Sequence, residues 1–272
     1  MPNKIALCIG INNYPGTDSD LSGCLNDVKD WSRVFEKNGF TVQRLVDEQA
    51  TKKNILAALQ TLISSAEKGD SVLIQYSGHG TYVPDKNEDE EDSTDECLCP
   101  HDIFTKGPIT DDELNVIFTS KKNGVKLVFF SDSCHSGTVT RFAPISTPPT
   151  TSGKTAPTRK VRFMPPANFL SARELNKLGT VRSIRRSSPP GRYGSLLMSG
   201  CQDVEYSYDA WFSSRPNGAF TFVALATLAK LPQNASYHDW FKAIRKVLPS
   251  QQYPQSPNLY GSSVMKKWEI FS

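Results

Sequence analysis

Cys134 closes an apolar run in "VKLVFFSDSCHSG" (residues 125–137), where strand-forming side chains give way to small polar ones. A thiol is a strong nucleophile only as the thiolate, so a reacting cysteine needs a base within reach and an open, polar setting. His79, in "YSGHG", follows a similar apolar run and sits between glycines that let other backbone come close. An imidazole there can take the thiol proton and later return it to a leaving amine. The N–H groups of Gly80 and Cys134 would then face the oxyanion of a tetrahedral intermediate. His135 is the rival base, but neighbouring residues on a strand point to opposite faces, so it ranks behind His79. Taken singly, Cys134 would read as a buried small hydrophobe and His79 as a core histidine. Two such residues, each ending a strand among glycine or serine, describe acyl transfer by a cysteine hydrolase.

The elements that must position them follow from the hydrophobic pattern. "KIALCIG" (4–10), "FTVQRLV" (40–46), "SVLIQYS" (71–77) and "VKLVFFSDS" (125–133) read as strands. Between them lie "LSGCLNDVKDWSRVFEKNG" (21–39), with apolar residues at helical spacing, a helix capped by Thr51, and the capped helix "ITDDELNVIF" (109–118). This alternation predicts a mostly parallel sheet with helices on both faces, its functional groups at the carboxyl ends of the strands. Further on, "GSLLMSGC" reads as a strand, "NGAFTFVALATLAKL" and "SYHDWFKAIRKVL" as helices, and "QQYPQSPNLYGSS" as loop.

A chain of 272 residues with 38% hydrophobic content can bury a sizeable core. No stretch approaches the roughly 18 apolar residues of a membrane span and no leader pattern is present, so the expectation is a cytoplasmic protein without a membrane partner. Six scattered cysteines predict reduced thiols, and a net charge of +3 implies no nucleic-acid partner. Two stretches break the pattern. Residues 85–96, "DKNEDEEDSTDE", carry eight carboxylates, and residues 144–192 carry eight prolines and ten basic residues against one acid, which predicts a long mobile connection with a short helix near "SARELNKLG".

The ordered set "GCLNDV", "YSGHG", "DECLCPHD", "ITDDEL" and "DSCHSG", followed by "LLMSGCQDVEYSYD", "GAFTFVALATL" and "QSPNLYGSS", resembles the metacaspases and orthocaspases of the caspase-like cysteine peptidases. The likeness covers nearly the whole chain. It implies an α/β fold, a caspase-like three-layer α/β/α sandwich with a mostly parallel central sheet. Residues 1–143 would form the large catalytic region, 144–192 a flexible basic linker, and 193–272 the small C-terminal region completing the same domain.

The resemblance also implies a cysteine endopeptidase cutting after Arg or Lys, with Cys24, Asp27, Ser77 and Asp132 lining the primary specificity pocket. Carboxylates in such a pocket suit a guanidinium, which can pair with them bidentately. The acidic pocket and the basic linker together predict self-cleavage, with the chain its own substrate. Candidate sites are Arg159, Lys160, Arg162, Arg182, Arg185 and Arg186, led by "VRSIRR" (181–186) and "TRK" (158–160). No cofactor is needed for the chemistry. Calcium as an activator is implied at Asp95, Asp111 and Asp112, although the family aspartate expected soon after the cysteine is missing from "TVTRF". "CLCPH" lacks zinc spacing. A monomer is expected, because extra strands cover the edge through which animal caspases pair. The competing readings are a catalytically silent caspase-like scaffold that binds partners, and a ligase or amidase using the same nucleophile.

Overall fold

The computed structural model describes residues 2–84, 94–134, 159–178, 194–202, 205–212 and 215–272. The first half alternates strand and helix: β1 (Lys4–Gly10), α1 (Cys24–Lys37), β2 (Thr41–Val46), α2 (Lys52–Ser65) and β3 (Ser71–Ser77). A small excursion follows, with β4 (Gly80–Pro84), β5 (Thr94–Leu98), α3 (Ile103–Lys106), β6 (Ile109–Thr110) and α4 (Asp111–Thr119). The chain then re-enters the main sheet at β7 (Lys126–Asp132) and continues through β8 (Lys160–Val161), α5 (Ala172–Leu178) and β9 (Leu196–Ser199). It ends with β10 (Tyr208–Phe212), β11 (Arg215–Gly218), α6 (Ala219–Leu228), α7 (Tyr237–Arg245), β12 (Asn258–Tyr260) and α8 (Ser263–Lys266).

The central sheet has the order β12-β9-β7-β3-β1-β2, parallel throughout except for β12 at the edge. β12 lies in "QQYPQSPNLYGSS", where a loop is expected from sequence; three residues after two prolines carry too little period-two pattern to announce an edge strand. Two three-stranded sheets, β4-β5-β6 and β8-β10-β11, stand apart from the main sheet.

Side-chain alternation divides the core. Leu7, Ile9, Val72, Ile74, Leu127 and Phe129 pack on one face against Ile55, Leu59 and Ile63 of α2 and Leu114 and Phe118 of α4. Ala6, Cys8, Leu73, Val128 and Phe130 pack on the other against Val28, Trp31 and Phe35 of α1, Phe220 of α6 and Trp240 of α7. Trp31 anchors this second layer, 4.6 Å from the Phe130 ring and 5.9 Å from the Trp240 ring. Gly10 lets α1 come close: a Cβ there would lie 2.5 Å from Val28 Cγ2 and 2.8 Å from the Cys24 carbonyl. Thr51 caps α2, and Thr110 with Glu113 forms a capping box on α4.

Strand parity also orients the site. Ser77 and Asp132 are partners in the β3–β7 register, and Asp132 continues the row of Val128 and Phe130, so it faces α1 and α6. His79 and Cys134 each lie two residues beyond that pair, at the carboxyl ends of adjacent parallel strands.

Candidate active site

The His79 imidazole is buried and held from several sides. Its backbone N–H donates to Tyr14 Oη (2.8 Å), its carbonyl accepts from Tyr76 Oη (2.7 Å), and its ring lies 4.8 Å from that of Tyr14. Nε2 is 2.6 Å from the Ser19 carbonyl. A carbonyl only accepts, so Nε2 carries the proton and Nδ1 is left with its lone pair. Nδ1 is buried and has no hydrogen-bond partner. Burial pushes the pKa of the ring down to about 4 against the opposing pull of the Ser19 carbonyl, so the imidazole is a neutral base at physiological pH.

Cys134 is also buried. Its Sγ lies 3.5 Å from the Ser207 carbonyl, to which it can donate, and it accepts the Ser207 N–H. Its own amide does something more informative. Cys134 N–H and Gly80 N–H both donate to the carbonyl oxygen of Arg162, at 3.1 and 3.0 Å.

Arg162 lies inside the stretch expected to be a mobile connection, yet its side chain is fully buried. Around it the chain runs as an extended segment. Val161 and Lys160 pair antiparallel with Tyr208 and Asp209 of β10, Arg162 N–H donates to the Ser207 carbonyl (2.9 Å), and Phe163 bridges Gly80. Met164 N–H then donates to the Gly80 carbonyl (2.9 Å). The guanidinium enters a pocket of three carboxylates. Nη2 is 2.7 Å from Asp27 and 2.9 Å from Asp209, and Nη1 is 3.2 Å from Asp132 Oδ2 and 3.2 Å from the Asp132 carbonyl.

Each acid is fixed by groups around it. Asp27 accepts from Asn217 Nδ2 (2.9 Å) and Gly218 N–H (3.0 Å). Asp132 accepts from Thr221 N–H (3.0 Å), Thr221 Oγ1 (2.8 Å) and Ser207 Oγ (2.5 Å). Asp209 accepts from the amides of Ser22 and Gly23, both at 2.9 Å. Burial raises the Asp27 pKa to about 6 although Arg162 pulls it down. For Arg162 burial disfavours the charge, but Asp132, Cys24, Asp27 and Asp209 outweigh it and the pKa rises further above the ordinary arginine value. Gly218 is obligatory here, since a Cβ would stand 2.1 Å from Asp132 Oδ2 and 2.5 Å from Arg162 Nη1.

The caspase-domain family model matches residues 3–269. The chain belongs to the caspase family. Among curated relatives, Metacaspase-1 of Cryptococcus neoformans is 31% identical over 296 residues, covering 96% of this chain and 63% of the relative. Metacaspase-1B of Aspergillus oryzae is 32% identical, covering 93% of this chain and 66% of the relative. The chain thus spans slightly less than two thirds of the length of these relatives. A Geobacter sulfurreducens protein of known structure superposes with a TM-score of 0.74 at 29% identity, covering 100% of this chain and 99% of that one. Caspase-1 from Spodoptera frugiperda shares the fold, with a TM-score of 0.60 at 13% identity over 96% of this chain and 86% of that one. The caspase-like fold expected from the sequence is therefore the one present.

In this caspase-family chain, Cys24, Asp27, Ser77 and Asp132 are all buried. Only Asp27 and Asp132 touch the guanidinium. Ser77 accepts from Gln75 Nε2 (2.7 Å), and burial raises the Cys24 thiol pKa. Asp209, Ser207 and Gly218 were not singled out from sequence. The one available signal for Asp209 was a lone acid inside the aromatic run "YDAWF", where burial would be costly without a cation. His135, Arg182, Arg185 and Arg186 lie outside the described residues. Of the basic residues that are described, the pocket holds Arg162, two positions past "TRK", whereas Arg159 and Lys160 are exposed.

Asp95 is buried on β5, while Asp111 and Asp112 occupy the first turn of α4. Among the described residues no three His, Cys, Asp or Glu side chains gather closely enough to hold a metal ion. The six cysteines are buried thiols, and no helix among the described residues is long and apolar enough to cross a membrane.

Proposed function

We propose that the chain is a cysteine endopeptidase that cuts after basic residues, using Cys134 and His79, and that its first substrate is its own Arg162–Phe163 bond. One observation carries the reading: a buried arginine has its side chain among three acids while its carbonyl oxygen accepts both the Gly80 and the Cys134 amides. A product-like or substrate-like segment would lie in a peptidase cleft in this way. Donors at 3.0 and 3.1 Å suit an oxygen that gains negative charge as the carbonyl carbon becomes tetrahedral.

The chemistry follows from the free Nδ1 of His79. It takes the Cys134 proton, and the sulfur attacks the Arg162 carbonyl carbon. The oxyanion is held by the two amides. The imidazolium then gives its proton to the Phe163 nitrogen, the C–N bond breaks, and a thioester to Arg162 remains. Water, deprotonated by the same imidazole, hydrolyses that ester. Substrate main chain is aligned by the Ser207 carbonyl, which accepts the amide N–H of the arginine.

Membership of the caspase family supports polypeptide substrates, and the three acids support a basic residue before the scissile bond. Peptides ending in Arg, Lys or Asp before a reporter group test this directly. Turnover is expected for Arg and Lys and not for Asp, and it should vanish in Cys134→Ala and His79→Ala. Equal turnover by wild type and Cys134→Ala contradicts the assignment.

A further inference from the structure

The segment around Arg162 touches the protein on both sides of its own carbonyl. Three residues before Arg162, the Arg159 guanidinium lies over the Tyr208 ring, 5.1 Å from its centroid, and Nη1 donates to the Gln252 carbonyl. Tyr208 is firmly seated: it is buried, its N–H donates to Gln255 Oε1 (3.2 Å), and its ring lies 6.2 Å from that of Tyr253. One residue after Arg162, the Phe163 ring stacks on Tyr82 of β4, with centroids 6.1 Å apart and planes inclined by 16°. The bridge between Gly80 and Phe163 and the hydrogen bond from Met164 to Gly80 hold backbone in register for that stacking.

We infer that the cleft reads peptide on both sides of the bond it cuts: a basic residue three positions before the arginine, held on the Tyr208 face and by the Gln252 carbonyl, and an aromatic residue immediately after it, stacked on Tyr82. A ring face attracts a guanidinium through its quadrupole, and offset stacking favours an aromatic partner over an aliphatic one. Lys160 does not add a comparable demand: its Nζ donates to the Asp20 carbonyl (2.7 Å), and among the described residues no ring lies beneath it as Tyr208 lies beneath Arg159. The inference rests on the reading of the cleft given above and extends it to the sequence class of the substrate.

Quenched fluorescent peptides with the sequence Arg-Lys-Val-Arg-Phe-Met, and versions carrying Ala at the first or the fifth position, test it on the wild-type 272-residue chain. The protein's own segment competes equally with every peptide, so ratios of kcat/KM are unaffected by it. Each alanine is expected to lower kcat/KM by about fivefold. Tyr208→Leu should bring the first-position ratio near one and keep the fifth-position ratio; Tyr82→Leu should do the reverse. Tyr208→Phe and Tyr82→Phe, which keep the ring, should preserve both ratios. Wild-type ratios near one at both positions, or both leucine variants moving both ratios together, overturn the inference while leaving the cleft assignment intact. A wild type that hydrolyses none of the peptides removes the two together.

Discussion

The carbonyl oxygen of Arg162 lies 3.1 Å from the amide nitrogen of Cys134, so the residue proposed as nucleophile already grips a peptide bond of its own chain. The same carbonyl is shared with Gly80, and the attached side chain is buried among Asp27, Asp132 and Asp209. On the proposed function, a cleft filled in this way would hold the chain as a zymogen and would mirror the peptide that the cleft accepts.

Asp209 should favour arginine over lysine. The guanidinium spreads its two ends over three carboxylates, with Asp27 and Asp209 sharing Nη2, whereas an ammonium is a single compact charge. Asp209→Asn is expected to reduce kcat/KM for an arginine peptide roughly tenfold, the low end for a hydrogen bond to a charged group, and to reduce it less for the matching lysine peptide. Equal losses for the two would refute a selective role.

Gly218→Ala should close the pocket to arginine. The added methyl would meet Asp132 and the guanidinium at sub-contact distances. The expected result is a rise in KM for arginine peptides of about a hundredfold or more, corresponding to nearly 3 kcal/mol of lost binding. An unchanged KM would show that the guanidinium binds elsewhere.

Removing Arg162 should destabilise the closed form. Arg162→Ala leaves three buried carboxylates without their cation, a change that costs about 3 kcal/mol when one partner of a buried pair is deleted. Asp27 already titrates at about 6 with Arg162 present, and losing the cation moves it higher, so the deficit should shrink as pH falls and Asp27 takes up its proton. Thermal melting of wild type and variant between pH 5 and 8 measures this. A difference that grows toward acid pH would contradict it.

His79 should stay neutral across the physiological range. Burial sets its pKa at about 4 in the folded chain against an ordinary value of 6.5. Between those values the unfolded chain binds the proton and the folded chain does not, so this residue's contribution to stability is present above pH 6.5 and is lost as pH falls toward 4. An NMR titration of the His79 ring in the intact Cys134→Ala protein should show no inflection from pH 5 to 8. A midpoint between 6 and 7 would contradict the buried-base assignment.

The central sheet was legible because its strands carry long apolar runs and its helices carry apolar stripes with caps at Thr51 and Thr110. Cys134 and His79 were legible for a related reason, since each stands where a strand ends among small residues, whereas Asp27 and Asp132 were singled out through the resemblance to the metacaspases. Asp209, Ser207 and Gly218 were not. They come from the C-terminal third and meet Asp27 and Asp132 only after β10, β11 and α6 fold against α1, a long-range closure that leaves no local period in the sequence. The basic stretch was misread in part for the opposite reason. Its proline and arginine content fits a mobile linker, and what orders residues 159–164 is ion pairing and strand pairing with residues far away in the chain.

The most direct test is an intact-mass and N-terminal sequencing measurement on the purified 272-residue chain before and after incubation at neutral pH. A new N-terminus at Phe163 is expected in the wild type and in neither Cys134→Ala nor Arg162→Ala. The same new terminus appearing in Cys134→Ala, or a wild-type chain that stays whole between Arg162 and Phe163 while cutting added arginine peptides, would contradict the claim that this bond lies poised against its own nucleophile.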